Sequence, residues 1–348
     1  MKYVRAMVFL AVLMVIYRGI NDVFILKSMH YRRQVDFLSR HDMPLDILSV
    51  GSSYVFYTVN PVIIYEELGL RAYTLGSPQQ SVEMSYYYAK EAISRSHPKV
   101  LIIGATMFVL DPGQPYLNTD AYIHMGSDVF PVGLNRLLML ASCNLPESME
   151  TYLFPLMKYH GRWKSLRQSD FDGRTGVSGL NDVFNGSFQS PVISTNVFDI
   201  MDAPLAKPSP VFPGNLSFLA KFKKLADANG CRLLLISSPR KAGQGDALLG
   251  RYQELFRKAR ELGADVIDLS HEARSLSIVP NHDFHGFVHM NMFGSEKCTR
   301  HIAQFIKEQY HLAPSSLSEK ERQEYEMMRK RYYENRKAVI EKAGLSDQ

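Results

Sequence analysis

Cysteine is scarce in this chain. Cys143, Cys231 and Cys298 are the only three in 348 residues, widely separated, and no CxxC pair occurs. That argues against a disulfide scaffold and against a zinc knuckle. Cys231 opens an apolar strand and reads as a small buried hydrophobe. Excess charge is also small: 40 Lys and Arg against 35 Asp and Glu leave +5, locally balanced along the chain. Nucleic acid is therefore not expected as a partner, and a mild attraction to acidic surfaces is all the charge supports. No G-x-G-x-x-G loop follows the first strand, which argues against a dinucleotide-binding domain. No G-x-S-x-G elbow occurs, and internal repeats and low-complexity tracts are lacking.

What is present is ordinary in bulk, at 46% hydrophobic and 22% charged residues. The length suits one large domain or two small ones. The N-terminus is distinctive. Lys2 and Arg5 precede the apolar run Ala6–Tyr17, then come Arg18, Gly19 and Ile20 to Leu26. No small-x-small cleavage site follows, so an uncleaved anchor over residues 1–30 is expected. Arg18 must then snorkel or face a protein partner. Lys27, Arg32 and Arg33 after the run leave the orientation undecided by charge. The competing reading is an amphipathic or buried first helix.

From residue 40 to 310 the pattern predicts one α/β domain. A strand over Leu45–Val50 leads, through the Asn60-Pro61 cap pair, to a helix stopped at Gly69. A strand over Ala72–Leu75, a helix capped by Ser81, and the apolar run Val100–Ile103 follow. The same alternation returns with a helix over Leu216–Ala228, the strand Cys231–Ile236, a helix over Ala247–Leu262, the strand Val266–Leu269 and a helix over Ser295–Glu308. Five short apolar strands separated by helices predict a flavodoxin-like three-layer α/β/α sandwich with a mostly parallel five-stranded sheet. Its ligand site should lie at the carboxyl ends of the strands. Residues 108–212 break the alternation and read as a large insertion folding over that rim, with Trp163 inside it. Residues 311–348 form a charged C-terminal helix docked through a stripe of Tyr325, Met328 and Tyr332.

Gly51-Ser52-Ser53 follows the first strand, where a serine sits at the open rim of the sheet. His289, in His285-Gly286-Phe287-Val288-His289-Met290-Asn291, stands at another strand-to-helix boundary and offers a base. A serine nucleophile needs such a base, a group to orient it and donors for the oxyanion. Ser53 is the better placed of the two serines; a helix-capping pair is the plainer alternative. Amides of Ser53 and Gly76 are the candidate oxyanion donors. Asp283 is the nearest acid in sequence to His289, and Asp268 is a second candidate. His282, Asp283, His285 and His289 also form a dense cluster of ligand-type residues, but not at the spacing of a short zinc motif, and neither metal nor cofactor is expected.

These segments resemble the SGNH (GDSL-like) hydrolase superfamily over roughly residues 45 to 310, and in particular its membrane-anchored DltD-like branch. Gly51-Ser52-Ser53 is similar to the family's first block, whose last serine is the nucleophile. Leu75-Gly76-Ser77-Pro78-Gln79-Gln80-Ser81 resembles the second block, whose glycine donates to the oxyanion hole. Phe154 to Trp163 resembles part of the insertion of anchored bacterial members. His289-Met290-Asn291-Met292-Phe293-Gly294 is similar to the last block, usually Asp-x-x-His-x-Asn-x-x-Gly. Two departures stand out. Gly286 occupies the position of the acid, so Asp283 substitutes, or a Ser-His dyad operates, or activity is lost. Gly104-Ala105-Thr106 stands where the third block has Asn, leaving Thr106 as the polar candidate.

The resemblance implies Ser53, His289 and Asp283 as catalytic residues, with Gly76, Thr106, Gln80 and Asn291 around the oxyanion and substrate. It implies an anchored, extracytoplasmic acyl esterase or O-acyltransferase. Such a protein works with a membrane-bound O-acyltransferase on a cell-envelope polysaccharide or teichoic acid, through D-alanyl or acetyl esters. The alternative is a catalytically degenerate polymer- or partner-binding module of the same machinery.

Overall fold

The protein is described from a computed structural model covering residues 1–40, 43–112, 119–171, 183–195, 198–200, 207–241, 246–286 and 288–345. Five strands form the central sheet: β1 (Ile47–Gly51), β2 (Ala72–Gly76), β3 (Val100–Gly104), β4 (Arg232–Ile236) and β5 (Asp265–Ile267), in the order β2-β1-β3-β4-β5. Every pairing in it is parallel. Strand side chains alternate between faces, and the core divides accordingly. Leu48, Val50, Leu101, Ile103, Leu233 and Leu235 pack on one side with helices Val82–Ser96, Pro213–Ala228 and Asp246–Glu261. Ile47, Val100, Ile102, Leu234 and Ile236 pack on the other with helices Pro61–Leu68 and Met292–Tyr310. The three-layer α/β/α expectation holds, and the sheet is all-parallel.

Local signals explain where the helices begin and end. Asn60 accepts from the Val62 amide with Pro61 in the first turn, and Gly69 closes that helix in the left-handed conformation. Ser81 caps Val82–Ser96 and Asn291 caps Met292–Tyr310. The C-terminal helix Glu319–Ala343 starts with a capping box of Ser318 and Glu321. It docks through Tyr325, stacked on Tyr65 at 4.3 Å, and through fully buried Tyr332. The expected stripe is thus the contact.

The strand order changes direction between β1 and β3. The crevice there, outside the carboxyl ends of the strands, is where open α/β sheets hold ligands. Ser53 follows β1 at this point. The insertion divides its work. Residues 119–171 pack beside the N-terminal helix Lys2–Phe24 and the next helix, Met29–Ser39, rather than over the rim. The hairpin Val183–Phe184/Ser187–Phe188 reaches the rim, with the Thr74 amide donating to Asn185 O at 2.9 Å. Within the insertion, Pro155 separates two short helices, Met149–Leu153 and Leu156–Tyr159.

Candidate functional site

Ser53 is the first residue of a short helix, Ser53–Thr58, that leaves β1 through extended Ser52. Hydrogen bonds at its far end fix its position. Thr58 O accepts from Ser295 Oγ and Thr299 Oγ1, both at 3.0 Å, and Thr58 Oγ1 donates to Ser238 Oγ at 2.9 Å. Ser238 in turn donates to Tyr54 O at 3.1 Å. The helix carrying Ser53 is therefore tied both to Met292–Tyr310 and to the segment leaving β4.

His289 arrives on a two-stranded hairpin, Phe284–His285 with His289–Met290, which turns through Gly286 at φ +70°. Asn291 locks the hairpin exit. Its Oδ1 accepts from the Phe293 and Gly294 amides, and its Nδ2 donates to His282 O at 2.6 Å. This places His289 Nε2 2.8 Å from Ser53 Oγ. In the base role Nδ1 carries the proton and Nε2 accepts. The imidazole stacks on Tyr57 at 4.5 Å and 17°. Burial, aided by neighbouring His285, holds His289 down at about 4, so the ring is neutral at pH 7. The same Tyr57 faces His285 at 5.7 Å, whose Nδ1 lies 2.6 Å from Ser190 Oγ.

The acid is placed differently from expectation. Asp283 is fully buried, but its carboxylate holds His282 Nδ1, Lys297 Nζ and the Val279 amide, each at 2.7 Å. It ends the helical turn Pro280–Asp283 and faces helix Met292–Tyr310, which carries Lys297, so its oxygens are spent away from His289. Asp268 accepts from Ser237 Oγ at 2.7 Å instead. Among the described residues His289 makes its side-chain hydrogen bond with Ser53 and with no carboxylate. The structure brings Ser53 and His289 together and leaves Asp283 outside the pair.

The other expected residues brace the rim. Gly76 ends β2 opposite Gly51, so close that an added Cβ would stand 2.1 Å from Gly51 O. Gln80 Oε1 accepts from the Ser77 amide at 3.0 Å and its Nε2 donates to Ser85 Oγ at 3.1 Å, which shapes the turn after β2. Thr106 Oγ1 accepts from Tyr252 OH at 3.1 Å, beyond β3. Asn291 is a cap and hairpin clamp. None of these three side chains bonds to Ser53 or His289 in this geometry.

Several residues at the site escaped the sequence reading. Tyr57 had a signal, since it lies four residues after Ser53 and therefore on the same helix face. Arg33 had none. It is buried without exposure, with Nη1 donating to Gly186 O at 2.6 Å and Nη2 donating to Gly76 O. Its guanidinium lies 3.7 Å from the Phe56 ring centroid, and burial draws its pKa down to about 10. Arg240, four residues beyond β4, is 1% exposed against the Tyr252 ring, with Nε and Nη2 lacking hydrogen-bond partners among the described residues.

A metal reading finds little support. His282 is held by Asp283, His285 by Ser190 and His289 by Ser53. Among the described residues, Asp120, His124 and Glu147 come within 4.8 Å of one another, but the Lys158 ammonium already contacts both carboxylates. The fold and this Ser-His pair define the chain as an α/β protein with a candidate hydroxyl nucleophile at the switch point of an all-parallel sheet. No protein-family model matches the chain, and no curated protein matches it.

Proposed function

We propose that the protein is a serine-dependent acyl esterase or O-acyltransferase of SGNH type, anchored by its N-terminal helix with its body outside the cytoplasm. In this reading it works with a membrane-bound O-acyltransferase on a cell-envelope polysaccharide or teichoic acid, handling D-alanyl or acetyl esters. The observation that carries the chemistry is the 2.8 Å approach of His289 Nε2 to Ser53 Oγ at the carboxyl end of β1. Ser53 Oγ attacks the acyl carbon while His289 takes its proton, and amides of Ser53 and Gly76 receive the oxyanion. The proton passes to the leaving oxygen or sulfur, and water or a polymer hydroxyl then takes the acyl group from Ser53. The family resemblance supplies the polymer, the partner and the sidedness. Lys2–Phe24 supports the anchor by being long and apolar enough to cross a membrane. Ser53→Ala should abolish both turnover and labelling by a serine-directed fluorophosphonate. Full activity in that variant, with the fold intact, would remove the mechanism.

The second reading, a degenerate binding module, draws on one observation: the carboxylate nearest to His289 in sequence is committed to Lys297 and His282. A base without its orienting acid keeps oxyanion stabilisation but turns over slowly. Wild-type protein that fails to react with the fluorophosphonate would favour this reading.

A further inference from the structure

The first part of the insertion does not face the site; it grips the end of the N-terminal helix. Asn21 Oδ1 accepts from the Leu156 amide at 3.0 Å, and Phe154 meets Tyr17 edge-on at 5.9 Å. Arg162 Nη1 donates to Phe24 O and, at 3.0 Å, to Ile25 O, while Lys27 Nζ donates to Asp170 O. Around these anchoring contacts stand large apolar side chains that the described residues leave exposed. Phe154 is 48% exposed, Met157 54%, Trp163 64% and Phe171 58%. Lys164 Nζ lies 5.1 Å from the Trp163 ring centroid.

Depth decides what covers them. Lys2–Phe24 has 23 residues and is about 34 Å long, slightly more than the roughly 30 Å of a bilayer's hydrocarbon. Tyr17 lies seven residues, about 10 Å, below the helix end at Phe24. If the helix spans with Phe24 at the hydrocarbon edge, Phe154 beside Tyr17 lies about 10 Å inside that edge and the Leu156 segment, bonded to Asn21, about 4 to 5 Å inside it, both within the acyl chains just below the headgroups. The uninterrupted apolar run ends at Tyr17, so the helix alone presents Arg18, Asn21 and Asp22 there. Aromatic residues with a lysine or arginine beside them suit this layer, apolar body inward and charge toward the headgroups.

We infer that Phe154, Met157, Trp163 and Phe171 form a collar that seats the body in the lipid interface around the root of the N-terminal helix. The occupant of this surface is the bilayer, and the inference rests on the helix being a membrane anchor. The collar then fixes the height and tilt of the body over the membrane, which a lone helix cannot do.

Trp163 is the chain's single tryptophan, so its emission reports the collar directly. The full chain would be reconstituted into phosphatidylcholine vesicles brominated either near the headgroup or near the bilayer centre, then floated on a density gradient. The expected result is co-flotation, a blue-shifted emission, and quenching stronger with the shallow bromine than with the deep one. The double variant Phe154→Trp with Trp163→Phe should also be quenched, with the deep bromine contributing more. Flotation without quenching in either protein would overturn the collar and leave the anchor standing. Failure to float would overturn the anchor and the collar with it.

Discussion

His289 combines a short bond to Ser53 with an environment that disfavours its own protonation. Held down at about 4, it is almost wholly in the accepting form across neutral pH, yet it is a weak base once asked to take a proton. The acid limb of the rate should follow that value. Esterase activity is expected to stay level from pH 7 to about pH 5 and to fall only toward pH 4, whereas an ordinary histidine would lose activity near 6.5. Gly286 offers the complementary experiment. It turns the hairpin at φ +70°, which Asp tolerates better than most residues, and among the described residues an added Cβ meets no atom within 4 Å beyond its chain neighbours. Gly286→Asp would put a carboxylate where the resembling family carries one. The expected outcome is a faster enzyme whose acid limb moves upward, read from kcat/KM against pH. An unmoved limb in a folded variant would mean that the new carboxylate does not reach the imidazole.

At the scale of elements, Asp283 acts as a staple between a helical turn and the last helix of the domain. Asp283→Asn leaves Lys297, about one-third exposed, without its counter-charge and weakens the tie at the Val279 amide. A loss of about 3 kcal/mol is expected, visible as a lower urea midpoint. Activity should fall with stability while the acid limb stays in place, because the lost charge does not touch His289. A shifted limb with unchanged stability would return Asp283 to the orienting role.

The strands and their stops were legible because each carries its cause in its own residues. The apolar runs Ile47–Val50 and Val100–Ile103 need burial on both faces, and Asn60, Gly69 and Ser81 mark helix ends through local backbone chemistry. The approach of Ser53 to His289 was legible as two strand-end motifs. The partners of Asp283 were not, since Lys297 lies a full turn into a helix whose facing is set only by packing. Arg33 was invisible for the same reason: the carbonyls of Gly76 and Gly186 that hold it come from β2 and from the insertion hairpin. Tyr57 lay between these cases, with its spacing from Ser53 readable and its stacking on His289 set by the hairpin.

For the whole molecule, buried histidines make acidity a structural threat before the carboxylates respond. Burial lowers His285, holds His289 at about 4 and holds His30, with help from Arg33, at about 3. In the unfolded chain all three titrate near 6.5, so between that value and about 4 unfolding takes up protons. Stability should therefore fall as the pH drops from 7 to 5, measurable as a declining Tm. Depressed carboxylates such as Glu321, held near 2 by Arg71 and Ser318, add their own loss only at lower pH. A Tm that is flat or rising between pH 7 and 5 would contradict the neutral burial of these rings.

The two members of the Ser-His pair are 236 residues apart in the chain. At a synthesis rate of roughly 5–20 residues per second, the serine leaves the ribosome on the order of ten seconds or more before its histidine exists. Throughout that interval the hydroxyl has no base, and the hairpin that will carry the imidazole cannot yet pair. In the proposed mechanism the nascent chain is therefore silent toward activated acyl donors until nearly all of it has been made, and reactivity would arise only after the last third has folded against the first.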